Sequence, residues 1–262
     1  MTQSRDPSAV PLVEMRGISR AFGGVAALQN VDLSVYRNEV VALLGDNGAG
    51  KSTLIKILAG ALAADTGEIL LDGRKVSIDS PRDAKDLGIE TVYQDLALCD
   101  NLDVPTNLFL GRELMRPILG PLLSIFDRRR MAGETRDLLG RLKIELGSLQ
   151  IPVRSLSGGQ RQSVAIAKSV YFNAKLVIMD EPTAALGVRQ TEKVLGLVRE
   201  LRQSGLAIVY ISHILEDVFR VADRMVVLKN GRKVGERLTA RTDRDEIVRM
   251  MITGVDAPAE AA

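Results

Sequence analysis

Residues 45–52 form the pattern that most narrows what this chain can fold into. Their sequence, GDNGAGKS, fits the spacing G-x-x-x-x-G-K-[ST] at every fixed position. The apolar run Val40–Leu44 precedes it and is typical of a buried strand, while a helix-like stretch, STLIKILAG, follows it. Glycines let the backbone wrap tightly, so that several N–H groups can point at one set of phosphate oxygens. A chance glycine-rich turn would lack this context, and the pattern therefore predicts a phosphate-binding loop.

The side chains that end this loop are predicted to contact a bound triphosphate and its metal ion. Lys51 is expected to reach the β- and γ-phosphates, and the Ser52 hydroxyl is expected to ligate Mg²⁺. A helix that begins near Lys51 adds its positive end. The predicted nucleotide-binding residues of this segment are Gly45, Asp46, Asn47, Gly48, Ala49, Gly50, Lys51, Ser52 and Thr53.

Short apolar runs alternate with helical patterns along most of the chain. Strand-sized runs rich in Val and Ile occupy residues 89–93, 176–179 and 207–211. Within 188–203, one set of apolar residues recurs at helical spacing: Val194, Leu195, Leu197, Val198 and Leu201. Strands that alternate with helices predict an α/β fold with a mostly parallel sheet covered on both faces.

Two segments depart from this alternation. Residues 67–78 read as a β-hairpin around Asp72-Gly73, which predicts an antiparallel patch beside the parallel core. Residues 95–155 hold four prolines, the basic run Arg128–Arg130 and a helix-like stretch at 131–146, and they predict a mainly helical insertion. The first ten residues and the last eight are expected to be frayed.

Composition restricts the classes of function. Hydrophobic residues make up 46% and charged residues 26%, which is typical of a globular protein, and the net charge of +2 argues against nucleic-acid binding. With Cys99 as its one cysteine, the chain forms no internal disulfide, which fits a reducing, cytoplasmic setting. No signal-like start and no membrane-length apolar stretch are visible, so any membrane role requires a spanning partner.

An acid pair follows the strand-like run Leu176–Met179. Parallel strands bind ligands at their carboxyl edge, where Asp180 and Glu181 are predicted to lie. Asp180 is expected to hold Mg²⁺ through a water, and Glu181 to orient the attacking water as general base. Two solvated acids at a strand end are the plain alternative, but phosphoryl transfer needs both a metal ion and a base.

A second glycine pair opens another helical stretch. Residues 156–160, LSGGQ, place Ser157 at a helix start, where it makes either an anion cradle or an ordinary serine cap. The order GDNGAGKST, YQD, LSGGQ, LVIMDEP and SH over residues 10–252 resembles the nucleotide-binding subunit of ABC transporters. That resemblance implies a P-loop NTPase (RecA-like) core with an antiparallel β subdomain and a helical subdomain.

The resemblance also implies roles for individual residues. Two copies pack head to tail, and ATP lies between the phosphate loop of one copy and LSGGQ of the other. Ser157, Gly158, Gly159 and Gln160 would then serve the partner's nucleotide. Gln94 of YQD would sense the γ-phosphate and Mg²⁺, and His213 would contact the γ-phosphate. Phe22 occupies the place of the adenine-stacking aromatic, although it could be a core aromatic, with Tyr36 a lesser rival for its role.

One position departs from the family pattern. The segment after the acid pair ends in Gly187, where much of the family carries an aspartate that acts across the dimer. This puts that cross-dimer contact in doubt. The stretch EPTAALGVRQ, with residues 209–232 and 243–254, is similar to ATPases of bacterial simple-sugar importers of the ribose, xylose or fructose type.

These observations predict one ABC domain. Residues 1–94 and 161–255 are expected to form the ATP-binding core, residues 95–160 the helical subdomain, and residues 256–262 a flexible tail. The expected function is ATP hydrolysis that powers sugar uptake at the cytoplasmic face of the membrane. Its expected partners are a second copy or close relative, permease subunits and, indirectly, a periplasmic sugar-binding protein. The alternatives are a soluble ABC ATPase acting on nucleic acid or ribosomes, and a non-catalytic ATP-dependent switch.

Overall fold

The structure, a computed structural model, describes residues 10–119 and 123–256. The predicted frayed start and tail fall mostly on residues 1–9 and 257–262, which lie outside the described ranges; only Val10, Val255 and Asp256 of them are described. The strands are β1 (Val13–Phe22), β2 (Val25–Val35), β3 (Val40–Leu44), β4 (Thr66–Leu71), β5 (Arg74–Val76), β6 (Ile89–Val92), β7 (Met115–Leu119), β8 (Leu123–Phe126), β9 (Leu176–Asp180), β10 (Ala207–Ile211), β11 (Arg224–Lys229) and β12 (Arg232–Leu238). The helices are α1 (Lys51–Leu58), α2 (Pro81–Asp86), α3 (Val104–Phe109), α4 (Arg128–Arg141), α5 (Gly158–Tyr171), α6 (Val188–Gln203), α7 (Leu215–Val221) and α8 (Arg244–Thr253).

A six-stranded sheet of order β12-β11-β3-β10-β9-β6 holds the phosphate loop. Strand β3 pairs in parallel with β10 and β11, β10 pairs in parallel with β9, and the edge pair β11–β12 is antiparallel. All residues of β3 and β10 are buried, as expected for Val- and Ile-rich strands covered on both faces. The predicted α/β fold with a mostly parallel sheet is confirmed.

A four-stranded antiparallel sheet of order β2-β1-β4-β5 lies in the same part of the chain. The predicted hairpin is its β4–β5 pair, in which Leu71 lies opposite Arg74. Asp72 and Gly73 turn the chain at φ values of 49° and 75°, which only a few residue types adopt at low cost. The β1–β2 hairpin, which supplies Phe22, was not predicted.

A buried ion pair ties β11 to its neighbours. Arg224 is 2% exposed, and its guanidinium donates to Glu39 at 2.9 and 3.0 Å and pairs with Glu236 at 2.8 Å. It also donates to the Ser34 carbonyl at 2.5 Å. A buried cation with these partners is satisfied, whereas the removal of one partner would leave a costly buried charge.

The chain divides into two compact units. One comprises the residues up to Thr91, 174–181 and those from Arg202 on, and the other comprises 92–173 and 182–201. Compact units are not the same as independently folding domains, so the predicted boundaries at residues 94 and 161 stay a prediction. Apart from Val92 at the end of β6, both sheets described above belong to the first unit, and they share one apolar core with α1.

The second unit has its own apolar core, which includes Val104 and Leu108 of α3, Leu138 of α4 and Val164 of α5. Helix α4 begins three residues before the predicted stretch, because the Asp127 side chain accepts from the Arg130 N–H at 3.0 Å and caps the helix there. The predicted helix-like insertion also contains a β-hairpin, β7–β8, that its sequence pattern did not indicate.

Helix α6 matches its prediction. It spans Val188–Gln203, and the five apolar residues predicted for its inner face, Val194, Leu195, Leu197, Val198 and Leu201, are all buried.

Candidate functional site

The loop between β3 and α1 has backbone conformations that exclude side chains. Gly45 has a φ of +145°, and a Cβ there would lie 2.3 Å from the carbonyl oxygen of Leu228. Gly50 has a φ of +103°, and its Cβ would lie 2.8 Å from the carbonyl oxygen of Ala27. The Leu54 N–H donates to the Gly50 carbonyl at 2.9 Å, so the helix begins directly from the loop. The loop therefore wraps as tightly as phosphate binding requires.

Lys51 is the cation of this loop. Its Nζ donates to the carbonyl oxygens of Gly45 at 2.6 Å and Asp46 at 3.0 Å, which holds the ammonium inside the curve of the loop. Burial lowers the pKa of Lys51, while the charges of Glu181, Asp46 and Asp180 act in the opposite direction. Its neighbour Ser52 is exposed at the start of α1.

The acid pair lies at the carboxyl edge of the sheet, as predicted. Because β3, β10 and β9 are parallel neighbours, the loop after β3, the residues after β10 and the acids at the end of β9 meet at one edge. Asp180 is the last residue of β9 and is half-buried. Burial raises the pKa of Asp180, and the charge of Glu181 raises it further. The charges of Lys51 and Lys56 act in the opposite direction.

Glu181 is held in an unusual conformation. Its φ is 50°, in the left-handed region that carries strain for a non-glycine residue, and its N–H donates to the Ile211 carbonyl at 2.9 Å. One carboxylate oxygen, Oε1, lies 2.9 Å from Nδ1 of His213. The other, Oε2, is buried and has no hydrogen-bond partner among the residues that the structure describes. A buried carboxylate oxygen without a donor is costly, so this oxygen is suited to accept a proton or a hydrogen bond from a water molecule.

The LSGGQ segment starts helix α5 with a reciprocal cap. The Ser157 Oγ accepts from the Gln160 N–H at 3.3 Å, and the Gln160 side chain accepts from the Ser157 N–H at 2.9 Å. Gln160 therefore fixes the backbone of this segment, which is a positioning role. The role predicted for Ser157, Gly158 and Gly159 at a partner's nucleotide stays a prediction.

Gln190 was not predicted, and it organises the segment that contains Gly187. Its side chain accepts from the Gly187 N–H at 2.9 Å, while the Gln190 N–H donates to the Gly187 carbonyl at 2.9 Å. A Cβ on Gly159 would lie 2.8 Å from the Cβ and Cγ of Gln190, so the starts of α5 and α6 are in contact. A glutamine three residues after a helix-capping position is a known sequence signal. Here the capping position is Gly187, in place of the usual serine or threonine, so the signal was not recognised.

Phe22 and Gln94, two further predicted site residues, are both exposed. Phe22 ends β1 and is 47% exposed, so the alternative of a core aromatic is wrong, and the Arg20 guanidinium lies 5.1 Å from its ring centre. Gln94 is exposed two residues after β6 and belongs to the second unit. Their predicted contacts with adenine and with the γ-phosphate stay predictions.

The residues at the sheet edge fit a metal ion that arrives with phosphates. Within residues 10–119 and 123–256, no cluster of three or more His, Cys, Asp or Glu could hold a metal ion. Magnesium commonly uses one or two carboxylates, water and substrate phosphates. Asp180 and the Ser52 hydroxyl suit that mode, whereas they would be too few for a resident ion.

A strand–loop–helix phosphate cradle beside an acid pair on a parallel sheet defines the class: a P-loop nucleotide hydrolase. A family model described as ABC transporter matches residues 28–184. The xylose/arabinose import ATP-binding protein XylG of Sulfolobus acidocaldarius is 45% identical over 92% of this chain and 93% of that protein. The chain therefore belongs to the ABC transporter family, as an ATP-binding subunit.

Other relatives and structures agree with this assignment. The ribose import ATP-binding protein RbsA of Chromobacterium violaceum is 50% identical over 92% of this chain, which spans 47% of that protein. The chain thus covers about half the length of the ribose relatives. The ATP-binding cassette MJ1267 in its ADP conformation superimposes with a TM-score of 0.78 at 26% identity, over 93% of this chain and 95% of that one. A nucleotide-free cassette gives 0.76 at 27% identity, over 87% and 91%.

Proposed function

We propose that this chain hydrolyses ATP between two head-to-tail copies and that the hydrolysis powers uptake of a simple sugar through permease subunits. The observation that carries the proposal is the arrangement of Glu181. One of its oxygens is 2.9 Å from His213 and the other is buried without a partner, at the sheet edge that also holds Lys51.

The proposed reaction assigns a step to each of these groups. Water attacks the γ-phosphorus of ATP, the bond to the β–γ bridging oxygen breaks, and ADP and phosphate leave. Glu181 accepts the proton of the water, and His213 holds the carboxylate in position through Nδ1. Lys51 stabilises the negative charge on the transferred phosphoryl group. Magnesium, when bound with the nucleotide, neutralises phosphate charge, and Ser52, Asp180 and Gln94 are the residues proposed to hold it.

The proposed dimer follows from where the motifs lie. Each motif occurs once in the chain, and LSGGQ presents its N–H groups at the start of α5 in the second unit. The start of a helix attracts anions, so Ser157 and Gly159 of one copy are proposed to cap the γ-phosphate held by the other copy. A close relative could take the place of the second copy.

The sugar and the partners rest on the relatives. Import of xylose, arabinose or ribose is what the names of the matching proteins state of them, and the match to XylG spans nearly its whole length. Within the described part of the chain, no helix is long and apolar enough to cross a bilayer. From the import role that the relatives' names state, we propose that the chain lies peripherally at the cytoplasmic face of a membrane. There it would bind permease subunits and would depend indirectly on a periplasmic sugar-binding protein.

The proposed base is tested by Glu181→Gln. We expect phosphate release to fall by about 10²- to 10⁴-fold, because general-base catalysis contributes on that order, while ATP stays bound. Glu145→Gln, a change at an exposed acid of the second unit, is the matched control and should release phosphate at the wild-type rate. Undiminished release by Glu181→Gln would remove Glu181 from this role.

The transport step has its own test. Vesicles that contain the permease and this chain should take up labelled xylose or ribose only with ATP, and Lys51→Ala should stop the uptake. ATP hydrolysis that persists while no sugar of this class is transported would leave the ATPase intact and reject the sugar assignment.

A further inference from the structure

A cleft on the second unit lies outside the motifs used above. It has a volume of about 510 Å³ and lies between the hairpin β7–β8 and the start of α4. It is lined by Arg116, Ile125, Phe126, Asp127, Arg128 and Arg129. No step of ATP binding or hydrolysis uses these residues.

The cleft carries an uncompensated positive charge. Arg116, Arg128 and Arg129 are exposed, and none has an ion pair or side-chain hydrogen bond within the part of the chain that the structure describes. Asp127 is the one acid of the lining, and its Oδ1 already accepts from the Arg130 N–H at 3.0 Å. Three cations against one anion leave a net charge of +2 at this place.

Apolar side chains are exposed on both faces of the hairpin beside the cleft. Met115 pairs with Phe126, and Arg116 pairs with Ile125. Since successive side chains of a strand point to opposite faces, these two pairs lie on opposite sides of the hairpin. Met115 is 50% exposed, Phe126 53% and Ile125 38%, as is Ile118 at 53%. Apolar side chains exposed on both faces of a two-stranded hairpin are unfavourable in water, so this hairpin is suited to an apolar environment.

We propose that this cleft binds the phosphate of an anionic phospholipid while the apolar side chains of the hairpin enter the membrane interface. Guanidinium groups match phosphate oxygens in geometry and charge. Basic residues next to exposed Phe and Ile side chains form the combination that binds anionic membrane surfaces. A protein groove would cover one face of the hairpin, whereas a fluid interface surrounds both faces, which favours the lipid. This inference goes beyond the proposed function, since it requires no nucleotide.

The test uses the full chain and protein-free vesicles. We expect the protein to float with vesicles of phosphatidylglycerol mixed into phosphatidylcholine, and not with phosphatidylcholine alone. Each arginine near an anionic surface contributes about fivefold in binding, so the triple variant Arg116→Gln/Arg128→Gln/Arg129→Gln should bind about 100-fold more weakly. Phe126→Ser with Ile118→Ser should weaken binding about tenfold or more at unchanged charge.

A matched variant separates a local site from net charge. Arg74→Gln/Arg199→Gln/Arg241→Gln removes three exposed arginines elsewhere and should bind vesicles within about twofold of the wild type. ATP hydrolysis by the isolated chain should be unchanged in both triple variants, and circular dichroism should show both folded. Failure of hydrolysis in the wild type would concern the proposed function and leave the vesicle result standing.

Four outcomes would overturn the inference. Equal losses of vesicle binding in the two triple variants would show that binding depends on net charge and not on this cleft. Unchanged binding in the Phe126 and Ile118 variant would remove the hairpin from the interface. Displacement by inorganic phosphate or glycerol phosphate at concentrations similar to the lipid would make the ligand a soluble anion. Binding to permease-containing vesicles alone would make the occupant a protein.

Discussion

The phosphate loop and the LSGGQ segment both present N–H groups at a helix start, but the chain holds them in different ways. The loop before α1 depends on backbone conformations that no side chain could share, with Gly45 packed against a carbonyl oxygen. The segment before α5 depends on side chains, through the reciprocal cap of Ser157 and Gln160 and the contact of Gly159 with Gln190. The phosphate loop is thus held by glycine backbone conformations and close packing, whereas the LSGGQ segment is held by side-chain hydrogen bonds and contacts.

The candidate functional residues are also divided between the two compact units. The first unit holds the loop, the acid pair and His213 at one sheet edge, while the second unit holds LSGGQ. We infer that a single chain grips a triphosphate and activates a water, and that it lacks only the capping half, which a second copy supplies.

The largest expected difference concerns the glycines of the two regions. Gly45→Ala should destabilise the protein by about 3 kcal/mol or more, because it adds a backbone clash to a φ that alanine rarely adopts. Gly159→Ala should cost less, about 1 to 2 kcal/mol, because Gly159 does not have a left-handed φ, although Cβ and Cγ of Gln190 must shift to admit the new methyl group. Urea unfolding measures both. Gly133→Ala, in α4 with nothing within 4 Å, is the control and should be neutral or slightly stabilising. Equal losses of stability at Gly45 and Gly159 would contradict the difference between the two helix starts.

A smaller effect should appear in the pH dependence of the second unit. The Tyr171 hydroxyl donates to Glu134, which also accepts from Arg130 at 2.8 Å. The hydrogen bond from Tyr171 and then Arg130 lower the pKa of Glu134, while burial and Glu134 raise the pKa of Tyr171 to about 12. Stability from Glu134 is present above its unfolded pKa and lost as pH falls through its folded pKa. Stability from Tyr171 is full below about 10 and lost as pH rises towards about 12.

Tyr171→Phe checks this pH dependence. It should lower the free energy of unfolding by about 1 kcal/mol at neutral pH and by less at both extremes. Urea titrations over a pH series measure it. An identical loss at every pH would mean that the hydroxyl acts through packing and not through the coupled pair.

The smallest expected effect lies at Gly187. Gly187→Asp should complete the reciprocal cap that Gln190 already half-forms, and it should stabilise the start of α6 by a few tenths of a kcal/mol. Gln190→Ala should remove about 1 kcal/mol from the wild type, and less if Gly187→Asp is present. Thermal unfolding of the four proteins gives the coupling, and strictly additive changes would show that Gln190 does not hold Gly187.

Sequence patterns predicted the parts of this site whose chemistry is local. The phosphate loop, the acid pair at the end of β9 and the inner face of α6 follow from spacing within short windows of sequence. Gln190 escaped prediction because its cap on Gly187 lacks the usual serine or threonine. The hairpin β7–β8 escaped prediction because its apolar residues, interrupted by Pro117, show no clean alternation. The approach of His213 to Glu181 depends on β9 and β10 being neighbours, which no local window contains.

Cross-linking between two differently tagged chains tests whether the phosphate loop of one copy faces LSGGQ of another. One chain carries Asn47→Cys and the other Ser157→Cys, both with Cys99→Ser, so that a disulfide forms only where loop and LSGGQ approach within about 7 Å. With ATP, the account predicts a disulfide between the two tagged chains in the mixture, and none without nucleotide. No inter-chain disulfide, although both variants bind ATP, would contradict it.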